Sequence, residues 1–396
     1  MIALADDARW STTDRDMGQA GYSERFPLPN VKSGLLCPPV LVANSFRPCP
    51  SPRITKWVSI GLAMGISNTP KLVAELIASR VFHDDPFFLA DVGASGGIAP
   101  HWHAFGASLK AVGFDPLAKE VDRLNAEQPN TSVRYHAALV GYRRYRELLP
   151  DHPVPSNDAY WRSSSVRAQK LLACRYAETY FDQTHDGTLS SELIELDEYF
   201  LRAHPASVDF IKIDTDGHDL EVLLGAKELL IQAPVMGLLV EAPFLGPLHE
   251  SVTLFSNMDV FLRDLGFSIF DIEPRRYTRA ALPKQFQWRL PANTIEGQVV
   301  WADCLYMRDA TIDNYERVWN LPLSSSKLLK LCCLYDLFSL QDCAAELLVK
   351  YRERLAGQVD VDHCLDLLTP PLPDGRQVSY REYNDFFDKN VEAFYP

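Results

Sequence analysis

A turn rich in small residues, DVGASGG at 91–97, closes the apolar run FFLADV. Because such a turn lacks side-chain bulk, its backbone can approach a ligand closely, and a helix that begins behind it offers free N–H groups to an anion. Asp115 stands at the end of the next apolar run, where its carboxylate can accept the two hydroxyls of a ribose. The turn and this carboxylate predict a binding site for an adenosine-type cofactor.

The glycine spacing distinguishes between kinds of adenosine cofactor. It reads G-x-x-G-G rather than the G-x-G-x-x-G of dinucleotide sites, and an acid precedes the first glycine. This pattern suits a sulfonium amino-acid cofactor better than a pyrophosphate. The residues that we expect to bind the cofactor are Asp91, Gly93, Ala94, Ser95, Gly96 and Asp115. Two alternatives stay open: a nicotinamide-dependent oxidoreductase, and a tight strand-to-helix turn that binds no ligand.

A second segment, VDFIKIDTDGHDLEVLLGA, places ionisable side chains where an apolar strand ends and a helix begins. They are Lys212, Asp214, Asp216, His218 and Asp219. Ligands of α/β sheets bind at the carboxyl ends of strands, where apolar walls shift pKa values, so we expect one of these groups to deprotonate a substrate hydroxyl. The alternative for Asp214 and Asp216 is a helix cap with a first-turn acid, and for His218 a polar first-turn residue.

Short apolar runs alternate with helical patterns through the middle of the chain. The predicted strands are 87–92, 109–115, 132–140, 208–214, 235–242, 267–273 and 298–308. This alternation indicates a mostly parallel, doubly wound α/β sheet with helices on both faces, in which both segments lie at one mouth. Glu241 is expected to point into this mouth and to bind a substrate hydroxyl or, with Asp214, a divalent ion. Its alternative is a bond to a neighbouring loop.

The chain divides into three predicted parts. Residues 1–50 mix acids, Ser, Gly and Pro without a period, which indicates an irregular leader. The α/β domain spans 51–310 and contains an insertion at 141–191. Residues 311–396 have helical periodicity and predict a small C-terminal helical subdomain. The insertion and the helical tail are expected to select the substrate.

The composition is that of a globular protein and narrows the range of partners. The 39 Lys and Arg against 52 Asp and Glu give a net charge of -13, so attraction to nucleic acid or an anionic bilayer is not expected. No apolar run approaches the ~20 residues of a membrane span, and the first residues lack the features of a secretory signal. We therefore expect a cytoplasmic protein. The eight cysteines form no C-x-x-C pair, which favours reduced thiols over a zinc site.

Five blocks of the sequence resemble the successive signatures of the FkbM family of S-adenosylmethionine-dependent methyltransferases. They are DVGASGG, GFDP, VDFIKIDTDGHDLEVLLGA, LLVEAP and ADCLYMR, within residues 87–308. The resemblance implies a Rossmann-like class I methyltransferase fold over 51–310, with S-adenosyl-L-methionine as methyl donor. It also implies O-methylation of a sugar, a glycan or a related small molecule. Many members have Glu where this chain has Asp216, so the acid is shorter here.

Carried over position by position, the resemblance implies roles for individual residues. The methionine part of the cofactor is expected to contact Asp91, Gly93, Ala94 and Gly96, and the ribose to contact Asp115. Asp214, Asp216 and His218 are expected to face the transferring methyl group, with Asp214 or His218 as general base. No metal site is predicted among them. A catalytically silent nucleoside-binding or scaffolding protein is the alternative to an enzyme, and the sequence predicts neither the acceptor nor the oligomeric state.

Overall fold

The computed structural model describes residues 64–127, 132–157, 190, 192–282 and 297–394. The predicted leader at 1–50 lies outside the described residues, and so does most of the predicted insertion at 141–191. The domain boundaries predicted from the sequence therefore stay predictions. Within the described residues, strands and helices alternate from residue 71 to residue 308 and helices follow to residue 393.

Nine described strands form one large sheet and one small one. In chain order they are β1 (Phe87–Val92), β2 (Leu109–Asp115), β3 (Val133–Ala137), β4 (Leu139–Val140), β5 (Leu193–Ile194), β6 (Phe210–Ile213), β7 (Gly237–Pro243), β8 (Phe267–Tyr277) and β9 (Gln298–Arg308). The large sheet has the order β3-β2-β1-β6-β7-β9-β8, and β4 pairs with β5. The first five strands of this order (β3, β2, β1, β6 and β7) are parallel to one another. Strand β9 runs antiparallel to both of its neighbours, β7 and β8.

This topology confirms the predicted fold class. The sheet is mostly parallel and doubly wound, with one antiparallel strand inserted beside the edge strand, as in Rossmann-like class I methyltransferases. The strand order reverses between β1 and β6, and the crevice at such a switch point, beyond the carboxyl ends of the strands, is where ligands of α/β sheets bind. Both polar segments singled out in the sequence follow these two strands.

Helices cover both faces of the sheet and continue beyond its last strand. In chain order they are α1 (Lys71–Ala78), α2 (Ala118–Glu127), α3 (Leu196–Glu198), α4 (Asp219–Leu224), α5 (Lys227–Gln232), α6 (Phe255–Asp264), α7 (Tyr315–Val318), α8 (Ser325–Leu337), α9 (Gln341–Lys350), α10 (Arg352–Leu355), α11 (Val361–Leu368) and α12 (Tyr380–Lys389). A π-helical turn, Tyr199–Ala203, continues α3, and a 3₁₀ helix, Pro100–Ser108, precedes β2.

Two elements that the sequence predicts as continuous are interrupted. The helix predicted at 218–230 splits into α4 and α5 at Gly225, whose carbonyl accepts from the Asp197 N–H at 2.9 Å and whose backbone the Gly141 carbonyl approaches closely. The strand predicted at 132–140 breaks at Ala138, whose N–H donates to the carbonyl of Asp115 at 3.0 Å. Both breaks come from backbone contacts with distant segments, which a local apolar pattern does not contain.

The C-terminal helices share a hydrophobic core with one face of the sheet. Helix α8 is buried from Lys327 to Leu337, and its apolar side chains belong to the same cluster as Phe87, Trp102 and Phe210. The opposite face packs against α4, α5 and α6 through a second cluster. In the part of the chain that the structure describes, no helix is both long and apolar enough to cross a bilayer.

Candidate active site at the carboxyl edge of the sheet

The glycine turn after β1 is held from both sides by neighbouring strands. The N–H groups of Gly93 and Ala94 donate to the carbonyl of Phe114, on β2, at 2.9 and 3.0 Å. On the other side, a Cβ at Gly93 would lie 1.8 Å from the carbonyl oxygen of Asp214, and Gly93 has a φ of 80°. Only glycine fits here, because both the backbone conformation and the space exclude a side chain.

Asp91 lies beneath this turn and has an unsatisfied oxygen. It is 3% exposed, and Lys212 Nζ stands 3.2 Å from its Oδ1. The two groups attract each other as charges, but their angle does not make a hydrogen bond, so this Oδ1 has no aligned donor. Lys212 instead donates to the carbonyl of Gly93 at 2.8 Å and lies 3.4 Å from Asp214 Oδ2. Burial raises the pKa of Asp91 to about 6, against the opposing charge of Lys212.

Asp115 lies at the end of β2, as predicted, with its carboxylate turned toward its own backbone. It is buried, and its Oδ1 accepts a hydrogen bond from the Leu117 N–H at 2.8 Å. Burial raises its pKa, while the backbone N–H groups of Leu117 and Ser95 lower it. Glu120, which the sequence did not suggest, reaches the glycine turn from α2 and accepts from the Gly96 N–H at 2.9 Å. Two carboxylates therefore border the turn on the β2 side.

The acids after β6 diverge in their placement. Asp214 and Asp216 are both exposed, and Asp216 has a left-handed φ of 52°. The N-cap position of α4 belongs to His218, whose side chain makes no capping bond, so neither aspartate caps this helix. His218 is exposed, and its Nδ1 lies 3.2 Å from Glu221 Oε2. The hydrogen bond with Glu221 raises the pKa of His218.

Asp219 is the buried member of the same segment, and the sequence singled it out only as one of five candidate bases. Its side chain is 0% exposed, and Oδ1 accepts from the Glu241 N–H at 2.8 Å. Its Oδ2 accepts from the Thr215 hydroxyl at 2.7 Å and from the Thr215 N–H at 3.3 Å. Burial raises the pKa of Asp219 to about 6. The residue therefore joins the loop after β6 to the end of β7.

Glu241 lies in a row of carboxylates that crosses three strands. It is opposite Asp303 on β9, which in turn is opposite Glu273 on β8, so the three side chains share one face of the sheet. Arg275 pairs with Glu273 and Asp303. No partner to the Glu241 carboxylate occurs among the described residues, so the bond to a neighbouring loop, which was the alternative to substrate binding, is not seen there. Burial, followed by the charges of Asp214 and three further aspartates, raises the pKa of Glu241 to about 8.

Sequence reasoning missed the residues of this row other than Glu241. Asp303 had a visible signal, because it is a charged residue in the middle of the largely apolar strand 298–308. Glu273 and Arg275 had none, since only strand pairing brings them beside Asp303. Across the residues that the structure describes, no group of three His, Cys, Asp or Glu side chains has the arrangement of a metal site.

Known proteins that this chain resembles in sequence or structure are methyltransferases. Residues 91–269 match the model of the methyltransferase FkbM domain. No curated protein matches the chain. A SAM-dependent methyltransferase structure from Aquifex aeolicus is 13% identical and aligns over 61% of this chain and 94% of its own, with a TM-score of 0.26. The magnesium protoporphyrin IX methyltransferase of Synechocystis, with bound SAM, is 14% identical over 60% and 79%, with a TM-score of 0.24. With such low scores, the fold assignment rests on the strand order itself.

Proposed function

We propose that this chain, whose residues 91–269 match the model of the methyltransferase FkbM domain, methylates a hydroxyl oxygen of a sugar, glycan or related small molecule. S-adenosyl-L-methionine is the proposed donor and supplies an electrophilic methyl group when bound. A small-molecule or glycan acceptor in the cytoplasm agrees with the net charge of -13, which disfavours a nucleic acid partner.

One observation carries the cofactor assignment: the buried Asp91 Oδ1 beneath a glycine turn, which has Lys212 as a charge partner but no aligned hydrogen-bond donor. Few buried carboxylate oxygens lack a donor, and such an atom points to a missing partner. The proposed donor has a sulfonium and an ammonium group, and both positive charges suit this anionic pocket. We assign Gly93, Ala94, Ser95 and Gly96 to its methionine part.

The ribose is assigned to Asp115. Its Oδ1 already accepts from the Leu117 N–H, so ribose hydroxyls would use the remaining acceptor capacity of this carboxylate.

Glu241 is the proposed proton acceptor. An acceptor hydroxyl is a poor nucleophile until its proton leaves, and a base works best when its pKa is near the working pH. Glu241 meets this condition with a pKa of about 8, and a bound cation would favour its ionised form. His218 suits the role less, because Glu221 favours its protonated form. Asp214 and Glu241 each follow a member of the last β6–β7 pair, Ile213 and Val240. Asp214 is assigned to orient the acceptor, with Asp216.

Calorimetry with S-adenosylmethionine and with NAD tests the cofactor. We expect the first to bind and the second not to bind, and the reverse result would favour the oxidoreductase alternative. Labelled methyl transfer into glycans, glycolipids and cell-extract fractions then tests for an enzyme. Binding without any labelled product would support the silent alternative.

Two variants test the assignment of the base. Because general base catalysis contributes about 100-fold or more, Glu241→Gln should lower the transfer rate at saturating donor by about that factor. Donor affinity should fall only modestly, because glutamine lacks the charge that a bound cation favours. His218→Ala is the comparison and should lower the rate by less than about threefold. A larger loss with His218→Ala than with Glu241→Gln would show that the base is wrongly assigned.

A further inference from the structure

Strands β6 and β7 separate where the proposed acceptor site begins. Their parallel ladder ends with the pair Ile213 and Val240. Beyond it the chain turns away at Asp214 and Thr215, while β7 continues through Glu241 to Pro243, paired on its other side with β9. Asp214, just beyond the end of β6, and Glu241, on β7, therefore stand on segments that no longer bond to each other.

Asp219 bridges this gap with its side chain. Its Oδ1 accepts a hydrogen bond from the Glu241 N–H at 2.8 Å. Its Oδ2 accepts from the hydroxyl and the N–H of Thr215, the neighbour of Asp214. A carboxylate is suited to this task because it accepts on both sides, whereas an amide would present a donor to one of them. Its position in the first turn of α4 also suits a negative charge.

We propose that Asp219 is a positioning residue that sets the separation between Asp214 and Glu241 across the acceptor site. This rests on the proposed function, because only that function gives the two carboxylates a common substrate. A carboxylate that is 0% exposed costs free energy to bury, and the raised pKa of Asp219 records that cost.

The chain offers a matched control in Asp197. It too is a carboxylate that holds backbone groups of another element: its oxygens accept from the Leu229 N–H at 2.7 Å and the Glu228 N–H at 3.0 Å, at the start of α5. Burial raises its pKa as well. The same substitution at Asp197 therefore removes a similar bridge from a place that contacts neither proposed carboxylate.

The experiment compares Asp219→Ala, Asp219→Asn and Asp197→Ala in the full chain. The readouts are melting temperature, S-adenosylmethionine affinity by calorimetry, and the kcat and KM of labelled methyl transfer into the extract fraction that accepts label. We expect both alanine variants to melt lower by similar amounts and to keep donor affinity. Asp219→Ala alone should lose kcat, on the order of a hundredfold, as expected for reacting groups displaced by about 1 Å.

Asp219→Asn should recover only part of this loss, because its NH₂ faces the Thr215 N–H, which loses its acceptor. Its amide oxygen can keep the Glu241 N–H, and its NH₂ can donate to the Thr215 hydroxyl, which accepts as well as donates. Equal kcat losses in Asp219→Ala and Asp197→Ala would overturn the proposal, and so would an Asn variant as impaired as the alanine one. If Asp219→Ala does not fold, Thr215→Val removes the 2.7 Å bond alone and should lower kcat by a smaller factor.

Hydrogen exchange measured by mass spectrometry separates this proposal from the proposed function. In Asp219→Ala, exchange should accelerate in the peptide 237–243, and in Asp197→Ala it should not. This comparison needs no acceptor. A wild-type chain that binds no donor and labels nothing would refute the proposed function, whereas unchanged exchange at 237–243 would refute the role of Asp219.

Discussion

Each end of the sheet has a buried carboxylate beside lysine, but the hydrogen bonding of the two carboxylates differs. At the amino end, just before β6, Asp209 is fully buried between Lys327 and Lys330 of α8. Its Oδ2 also accepts from the Phe88 N–H at 2.8 Å, so both oxygens are bonded. At the carboxyl end, Asp91 lies 3.2 Å from Lys212, and its Oδ1 has no aligned donor.

This difference distinguishes a structural ion-pair network, at the amino end, from a candidate binding site, at the carboxyl end. The amino end satisfies its buried charges with protein donors alone and fastens α8 to the sheet. The carboxyl end keeps acids whose pKa values are raised by burial, about 6 for Asp91 and about 8 for Glu241. A buried charge without hydrogen-bond partners destabilises the folded chain unless a ligand supplies them. Substitutions at the amino end should therefore change mainly stability, and substitutions at the carboxyl end mainly donor binding. Four predictions test this separation, from the largest expected effect to the smallest.

Asp209→Ala should cause the largest loss of stability. It leaves the ammonium groups of Lys327 and Lys330 buried with fewer partners, and breaking a buried pair in this way costs about 3–5 kcal/mol. Chemical denaturation should show a fall of that size in the free energy of unfolding. Donor affinity, measured under conditions where the variant is folded, should stay within about twofold of the wild type.

Asp85→Ala is the control for this variant. Asp85 also bonds Lys330, at 2.7 Å, but its side chain is 41% exposed and Lys330 keeps Asp209 after the change. It should therefore cost about 1 kcal/mol or less. Equal losses from the two variants would mean that the buried network does not fasten α8.

Gly93→Ala should have the largest effect on donor binding. The added Cβ would lie 1.8 Å from the Asp214 carbonyl, so the glycine turn or the end of β6 must move. We expect affinity for S-adenosylmethionine to fall by about 2 kcal/mol, or roughly thirtyfold in Kd. Gly375→Ala is the matched control, because its φ of 86° imposes similar strain, nothing lies within 4 Å of its Cβ, and it has no proposed role in donor binding. If both variants bind the donor equally weakly, strain rather than contact determines the loss.

The contrast between the two ends was only partly predictable from the sequence. The alternation of apolar runs predicted β2 and β9 with the bounds that the structure has, and the glycine turn with Asp91 was placed correctly at the end of β1. These features are local, so a single segment of sequence contains their cause. The closed network at the amino end was not predicted, because Asp209 and Lys327 are 118 positions apart.

The candidate site was predictable to the same extent. Asp214 and Glu241 were placed at one mouth because carboxyl ends of parallel strands meet there. Asp219 was noticed as one of several acids, but its partner, the Glu241 N–H, lies 22 residues away and carries no side-chain signal. The neighbours of Glu241 on β9 and β8 depend on antiparallel register, which apolar periodicity does not determine.

Asp91→Asn should show an effect opposite in kind to that of Asp209→Ala. The neutral amide removes a buried charge whose oxygen lacks an aligned donor, so stability should change by only about 1 kcal/mol. Donor affinity should fall about tenfold, since the amide no longer attracts a cation. Calorimetry and thermal melting on the same preparation measure both quantities. Unchanged affinity together with a large loss of stability would make Asp91 a structural residue like Asp209.

Glu241→Gln should change how stability depends on pH. Burial raises the pKa of Glu241 in the folded chain from an ordinary 4.5 to about 8. A raised carboxyl pKa means that the folded state binds the proton more tightly than the unfolded state. Its stabilising contribution is therefore complete below about pH 4.5 and is lost as pH rises to about 8. Glutamine has no proton to lose, so the variant should lack this part of the decline.

Melting curves of the two proteins between pH 5 and pH 8.5 measure the difference. Across this range, the free energy of unfolding of the variant should rise relative to that of the wild type by about 1–2 kcal/mol. The partial exposure of Glu241 makes this difference smaller than for a fully buried group. Donor addition should shrink the gap, because a cation in the mouth favours the ionised carboxylate and offsets its burial. Parallel pH curves with and without donor would mean that Glu241 is already satisfied by the protein, as Asp209 is at the opposite end.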